Sequence, residues 1–450
     1  MNYGLIGNPL KHSFSKEIHA KLADYEYTLR ELDEKSFDFF MREKNFKGIN
    51  VTIPYKQKVI PYLDFIDGDA KSINAVNTIV NVDGKLHGYN TDILGVLATF
   101  EKFNINIQDK NVLILGTGAT SSTLYYAVKK SRAKNIYKAY RASSKIKGDV
   151  LYEDIAGTNY TSSHHFCDDI NIIINATPTG MFPHLDDPNL IDLSKFKNLE
   201  AVMDVVYNPL RTSFLIEAER LKIKAVSGLY MLVSQAYFAS KLFTSTGELR
   251  EPHRANDLCE PHGEASRTGE LREPHHIDKL CDSVYLSCLR EKQNIVLTGM
   301  PTCGKSTVGR KLASKLEYNF IDTDKLIEEK TGMPTQDYIT KNGIEKFRDI
   351  ESEVIKEIAT YSKTVISTGG GSILKDENVI NLKHNGKIYF MNRSIALLHP
   401  KGDRPLTSNY QSLKKIYDER LPIYKKACDK EIDGNLEVKE RVNLIINDFS

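Results

Sequence analysis

The sequence predicts an α/β protein of about three domains, and three stretches carry the prediction. From Tyr3 the chain alternates short apolar runs with helical patterns, as expected of helices layered on a sheet. An apolar run, Asn111 to Leu115, leads into Gly116-Thr117-Gly118 and a helical pattern. Another, Asn294 to Thr298, leads into Gly299-Met300-Pro301-Thr302-Cys303-Gly304-Lys305-Ser306-Thr307. A length of 450 residues agrees with three domains at about 150 residues each.

Hydrophobic residues make up 41% of the chain, enough for ordinary cores, and 61 Lys and Arg nearly balance 59 Asp and Glu. Without a basic excess, nucleic acid and anionic membrane are not expected partners; small polar ligands are. No apolar run reaches the roughly 18 residues of a membrane helix, and Met1 to Gly7 lack the basic start and apolar middle of a signal peptide, so a cytoplasmic location is expected. Cys167, Cys259, Cys281, Cys288, Cys303 and Cys428 form no C-x-x-C pair and no Cys/His ligand spacing, which predicts reduced thiols rather than disulfides or a zinc site.

In the first third, Tyr3 to Ile6, Tyr27 to Leu32 and Ile49 to Ile53 read as strands, and Phe14 to Leu22 and Phe37 to Glu43 as helices. Val76 to Val82 and Leu86 to Tyr89 read as a hairpin closed by Asp83-Gly84, a pair that tolerates positive φ. Polar residues cluster at the strand ends: Ser13 and Ser15, Thr52 and Lys56 in NVTIPYK, Asn77 in AVNT, and Asn90-Thr91-Asp92. Ligands sit at such edges of open α/β sheets. Hydroxyls suit a carboxylate, amides suit ring hydroxyls, and one Lys with one Asp suits proton transfer, so the set points to a small polyhydroxylated carboxylate. Taken singly, each has a structural reading: Ser13 and Ser15 as helix caps, Lys56 as a solvated surface residue, Asp92 as the N-cap of a helix starting near Ile93.

The strings GNPLKHSFS, NVTIPYK, INAVNT and NTDILG stand in the order and approximate spacing of shikimate dehydrogenases, and the first half of the chain resembles that family. The resemblance implies that Ser13 and Ser15 hold the substrate carboxylate, that Thr52 and Asn77 bind the substrate, and that Lys56 and Asp92 form the catalytic pair beside the ring 3-oxygen. Lys16 departs from the family's usual proline, at a first-turn position where proline is favoured but not required.

In the middle third, Gly116 allows a tight turn and Gly118 lets backbone approach a pyrophosphate, with Ala119 and Thr120 opening the helix and Ser121 replacing the third, helix-packing glycine. This is half a dinucleotide fingerprint, and the expected layer is Rossmann-like. The next run, Asn135 to Tyr140, ends at Arg141 rather than at an acid, which suits a ribose 2′-phosphate and favours NADPH over NADH. The family usually reads Asn-Arg-Thr there; here it is Tyr140-Arg141-Ala142. Asn175-Ala176-Thr177-Pro178, Gly180-Met181, Asp204 to Pro209 and GLYMLVSQA from Gly228 also resemble the family. By that resemblance Tyr207 lies near the ring and nicotinamide, Gln235 contacts shikimate, and Gly228 belongs to the cofactor site; Gln235 reads equally as a polar residue on a core-facing helix.

After Ala236 to Phe243 the composition turns to Gly, Glu, Arg, Pro and His, and TGELREPH occurs at Thr246 to His253 and again at Thr268 to His275. A charged, proline-broken tract without apolar periodicity reads as a solvated surface insertion. Ile277, Leu280, Cys281, Val284, Cys288 and Leu289 then recur at helical spacing, and a short linker is expected at Arg290 to Gln293. The expected division is a substrate-binding domain at 1–105, rejoined by 228–245 and 276–291, a dinucleotide domain at 106–227, an insertion at 246–275 and a third domain at 293–450.

In the last third, Gly299 to Thr307 fits the phosphate-binding pattern G-x-x-x-x-G-K-[ST] directly after a strand. Loop amides, Cys303 and Gly304 among them, and the start of the helix would face a polyphosphate, Lys305 the β/γ-phosphates, and Ser306 a Mg²⁺ ion. Phe320 to Asp324 reads as a strand ending in two acids, with Asp322 a candidate for Mg²⁺ and Asp324 for orienting a hydroxyl. Arg348 in GIEKFRDIE, the glycines of STGGG, Arg404 in DRPL and Arg420 in ERLPIY supply close backbone approach and anion-binding forks. These strings, in this order, resemble shikimate kinases from Asn294 to Ser450. The resemblance implies that Asp324, Arg348, Gly370, Gly371 and Arg420 bind shikimate and that Arg404 sits on a lid, Leu398 to Thr407, near the transferring phosphate. Because the two families share one metabolite, the expected enzyme is bifunctional, using NADPH, ATP and Mg²⁺. The alternative is an active kinase joined to a decayed or binding module.

Overall fold

The structure is a computed structural model and describes residues 1–10, 13–156, 163–245, 279–398 and 410–449. The expected insertion, Cys259, Arg404 and nearly all of the expected lid lie outside the described residues. Contacts divide the chain into two units, Met1–Tyr207 with Glu217–Cys288, and Asn208–Ile216 with Leu289–Ser450.

Two six-stranded sheets form the first unit. One contains β1 (Tyr3–Gly7), β2 (Tyr27–Glu31), β3 (Gly48–Val51), β4 (Phe65–Ile66), β5 (Thr78–Val82) and β6 (Lys85–Tyr89), in the order β2-β1-β3-β5-β6-β4. Asp83 and Gly84 have φ of 51° and 83°, the left-handed pair that joins β5 to β6 in an antiparallel hairpin. β3 is shorter than the expected Ile49 to Ile53: it ends at Val51, and a turn from the Thr52 carbonyl to the Tyr55 amide replaces the ladder.

The other sheet is wholly parallel, β12 (Lys224–Ser227), β11 (Ala201–Asp204), β10 (Ile172–Asn175), β7 (Asn111–Leu115), β8 (Asn135–Tyr140) and β9 (Val150–Leu151), in that order. β10 and β11 are buried along their whole length because both faces are covered, which explains their continuous apolar runs. Helices Thr91–Lys102 and Leu229–Thr244 meet closely where Gly95 lies: a Cβ there would stand 2.7 Å from the Met231 carbonyl oxygen.

In the second unit, five parallel strands run β14 (Asn319–Asp322), β15 (Thr364–Ser367), β13 (Asn294–Thr298), β16 (Gly386–Asn392) and β17 (Lys430–Asp433). β13 is buried throughout and anchors a core that includes Ile295, Leu297, Val308, Leu312, Ile388 and Phe390.

Two expected boundaries change. Arg290 to Lys292 are the last turn of helix Lys279–Lys292, and β13 starts at Asn294, so one residue rather than a four-residue linker separates helix from strand. Residues 208–216, expected in the dinucleotide layer, count with the second unit, where the Arg211 guanidinium grips the Asp429 carboxylate at 3.0 and 3.1 Å. Among the described residues no helix is long and apolar enough to cross a membrane.

Candidate active sites

Strand register gathers the first site. β1 and β3 run parallel with Ile6 beside Val51, β5 runs antiparallel to β3 with Thr78 beside Asn50, and β6 returns with Tyr89 beside Thr78. The residue after β3, Thr52, the residue before β5, Asn77, and those after β6, Asn90 to Asp92, therefore share one edge. Asn90, not Asp92, caps the helix: its Oδ1 accepts from the Ile93 amide at 3.4 Å. That leaves Asp92 in the first turn, where its Oδ2 accepts from Lys56 Nζ at 2.6 Å. The Lys56 backbone is itself pinned, its carbonyl accepting from the Val76 amide at 2.8 Å.

Asn77 is buried, and its amide is engaged with Thr91: Oδ1 accepts from the Thr91 amide at 2.7 Å and Nδ2 donates to Thr91 Oγ1 at 3.1 Å. Ser13 Oγ accepts from the Ser15 amide at 3.3 Å at the start of helix Ser15–Leu22. Phe14, between the two serines, meets Tyr207 edge-on at 5.2 Å between ring centroids, and burial pushes the Tyr207 phenol up, so it stays a neutral hydroxyl. Gln235 Nε2 donates to the carbonyl of Leu232 on its own helix at 2.9 Å.

On the parallel sheet, Leu115 of β7 stands level with Asn175 of β10 and Ala139 of β8, so the residues that follow all three strands gather at one carboxyl edge. Gly116 has φ of 107°, a conformation that a side chain would strain. Helix Ala119–Lys130 opens with Gly118 as N-cap and no side-chain cap bond, and a Cβ on Gly118 would meet nothing within 4 Å. Open space over uncapped helix amides fits a pyrophosphate, and Arg141, exposed just past β8, fits a 2′-phosphate, so these residues fit NADP. Ser121 is fully buried where the third fingerprint glycine would be, and its hydroxyl has no hydrogen-bond partner among the described residues. Gly228 is explained by packing: a Cβ there would lie 2.1 Å from the Val205 carbonyl oxygen.

The second site stands at the carboxyl edge of the third sheet. Ser367 of β15 pairs with Leu297 of β13 and with Asp322 of β14, which brings three strand ends together. Gly304 has φ of 96° and hands the loop to helix Lys305–Leu316. Lys305 is buried, with Nζ donating to the carbonyls of Gly299 at 2.8 Å and Met300 at 3.0 Å. Ser306 Oγ donates to Asp322 Oδ2 at 2.6 Å and lies 3.2 Å from Ser367 Oγ. Hydroxyl and carboxylate oxygens beside a phosphate loop are the hard donors Mg²⁺ takes together with phosphate and water, so Ser306 and Asp322 fit that ion.

Beyond the loop, a cleft of about 500 Å³ is lined by Thr302, Gly304, Lys305, Ser306 and Thr307 together with Asp322, Asp324, Thr368 and Gly370. Next to it, Arg348 Nη1 donates to buried Glu351 at 2.5 Å, and Glu351 accepts from Ser372 Oγ at 2.6 Å. Gly371 admits this guanidinium, since a Cβ there would stand 2.0 Å from Arg348 Nη2. The Gly370 carbonyl accepts from Arg420 Nη1 at 2.9 Å and from the Tyr424 hydroxyl at 2.5 Å. Glu351, Ser367, Ser372 and Tyr424 were not singled out from the sequence, although three of them stand inside the quoted motifs. A motif gives spacing along the chain, not which side chain supports which.

These features define a two-module enzyme, a dinucleotide-dependent oxidoreductase followed by a phosphate-loop phosphotransferase. Family models match at residues 5–79, the shikimate dehydrogenase substrate binding domain, and at residues 301–449, shikimate kinase. The chain is 34% identical over 260 residues to a shikimate dehydrogenase (NADP(+)) of Methanosphaera stadtmanae, spanning 54% of this chain and 90% of that one. It is 38% identical over 255 residues to that of Clostridium perfringens strain 13, spanning 54% and 91%. A solved chorismate mutase/shikimate 5-dehydrogenase fusion protein from Clostridium acetobutylicum superposes with a TM-score of 0.50 at 31% identity, over 64% of this chain and 96% of that one. The chain belongs to the shikimate dehydrogenase family and carries a shikimate kinase domain after it.

Proposed function

We propose that the chain catalyses two consecutive steps, reduction of 3-dehydroshikimate to shikimate and phosphorylation of the new 3-hydroxyl to shikimate 3-phosphate. The observation that carries the first step is the Lys56–Asp92 pair at the edge of the substrate sheet. NADPH, held by the residues that follow β7 and β8, would supply the hydride to ring carbon 3. Lys56 then holds or donates the proton for the developing oxyanion, and Asp92 keeps its Nζ aimed. Ser13 and Ser15 bind the carboxylate, Thr52, Asn77, Tyr207 and Gln235 surround the ring, and Gly116, Gly118, Ala119, Thr120 and Arg141 hold the cofactor, with Gly228 shaping the turn beside it.

For the second step, the cleft that contains both the phosphate loop and Asp324 carries the reading. Arg348 and Arg420 hold the shikimate carboxylate against the Gly370-Gly371 backbone, Asp324 orients the hydroxyl, and Lys305 stabilises charge on the transferring phosphoryl group. Arg404, outside the described residues, belongs to the same reading as a lid residue. Both steps use small, soluble metabolites, and a cytoplasmic enzyme is the corresponding location.

The test is one incubation of the full-length protein with 3-dehydroshikimate, NADPH, ATP and Mg²⁺, with an ATP-free control. NADPH loss in both tubes, and ester formation only with ATP, is the expected result. If NADPH is untouched while added shikimate is phosphorylated, the first half is a decayed or binding module.

A further inference from the structure

Arg441 is a charged residue enclosed in the second unit and unused by the chemistry above. It lies on helix Val438–Phe449 and is 4% exposed. Its Nη1 donates to the carbonyl oxygen of Cys303 at 3.0 Å, inside the phosphate loop. The guanidinium also rests against the next residue: a Cβ on Gly304 would stand 3.2 Å from Nη1 and 3.6 Å from Nη2. Arg441 Nε and Arg393 Nε are both buried without a hydrogen-bond partner among the described residues. Burial and the neighbouring Arg393 charge work against the Arg441 cation, while Cys303 and Asp433 favour it.

Desolvating a guanidinium is costly, and a core-facing helix position is ordinarily filled by an aliphatic side chain, as Val442 and Ile445 are on the same helix. The bond that Arg441 makes to Cys303 falls on the peptide between Cys303 and Gly304. That peptide's amide belongs to Gly304, the N-cap of the helix whose start faces the phosphates. A donor holding the carbonyl side of a peptide fixes the direction of the amide on its other side.

We propose that Arg441 is a positioning residue for the nucleotide: by clamping the Cys303 carbonyl it holds the Gly304 amide toward the polyphosphate. This rests on the phosphate-loop reading of the second site. The clamp acts on nucleotide affinity and not on the shikimate pocket, which is built from Asp324, Arg348 and Arg420.

Calorimetric titrations of full-length protein with MgADP and, separately, with shikimate test this on wild type, Arg441→Met, Arg441→Gln and Arg441→Lys. Methionine keeps the apolar stem and deletes the donor; glutamine and lysine each keep a donor. The expected result is MgADP affinity weakened about tenfold in Arg441→Met, the effect of one hydrogen bond from a charged group. Shikimate affinity should stay within about twofold of wild type, and Gln and Lys should recover MgADP binding relative to Met. Unchanged MgADP affinity in Arg441→Met, equal losses for both ligands, or Gln and Lys no better than Met would overturn the proposal. Wild-type protein that binds no MgADP would instead overturn the phosphate-loop reading.

Discussion

Lys56 Nζ lies 2.6 Å from Asp92 Oδ2, and the two side chains are 24% and 16% exposed, accessible to a ligand yet partly desolvated. The contact aims one Lys56 N–H along a fixed direction, toward Asp92. Replacing Lys56 by Ala is expected to lower the rate of 3-dehydroshikimate reduction by roughly 10²–10⁴-fold while phosphorylation of added shikimate is unchanged. Loss of both activities in a folded variant would contradict independent sites.

Arg141 is exposed just past the end of β8, the position proposed for 2′-phosphate recognition. Arg141→Ala should raise KM for NADPH about tenfold, the scale of one charge-assisted contact, and leave KM for NADH unchanged. Parallel steady-state measurements with the two cofactors give the comparison, and equal effects on both would remove Arg141 from 2′-phosphate recognition.

Lys305 donates to two carbonyls of its own loop, Gly299 and Met300, which places its ammonium over the loop interior. In Lys305→Ala, phosphoryl transfer should fall by roughly 10²–10³-fold or more, as when a preorganised donor to developing charge is removed. NADPH oxidation by the same preparation should match wild type. Undiminished kinase turnover would refute the role of this loop.

Gly371 is where backbone yields to Arg348, with 2.0 Å between a would-be Cβ and Nη2. Gly371→Ala must displace the guanidinium by an ångström or more. Phosphorylation is expected to drop by about 10²-fold through misplacement of the acceptor, with KM for shikimate raised and KM for ATP little changed. An unaltered shikimate KM would show that Arg348 does not hold the acceptor.

Asp429 makes a partly buried cluster within the second unit, accepting from Arg211, from Lys383 Nζ at 2.9 Å and from the Ile388 amide at 2.7 Å. Burial alone would raise its pKa; Arg211, Lys383 and the Ile388 amide outweigh that and hold it at about 2. Because this folded value lies below the ordinary 3.8, the carboxylate's contribution is fully present above that range and disappears as pH falls toward 2. Asp429→Asn removes the carboxylate that accepts from both Arg211 and Lys383 and should destabilise the unit by about 3–5 kcal/mol at neutral pH, a difference that narrows under acid. Chemical denaturation followed through retained kinase activity, at pH 7 and at pH 3, measures it; equal destabilisation at both would exclude the charge as the cause.

The chain's order along the sequence was legible wherever function depends on local spacing. The loop Gly299 to Thr307, the glycine turn at Gly116 and the hairpin at Asp83-Gly84 each need particular backbone geometry within a few residues, so their residues declare it. The alternation of runs and helices likewise announced the α/β layers. What depends on contacts distant in sequence was decided by the tertiary structure. Only the pairing of β5 with β6 and β3 shows that Asn90 takes the cap and frees Asp92 for Lys56, 36 residues earlier. Tyr424 on the Gly370 carbonyl and Arg441 behind Cys303 carry no local pattern either: as sequence, each is one polar residue on a helix. Residues 208–216 illustrate the same limit for boundaries, since Arg211 joins the second unit through a carboxylate 218 residues away. Spacing along a chain encodes backbone conformation, but which buried groups satisfy one another is set by how sheets and helices come together in space.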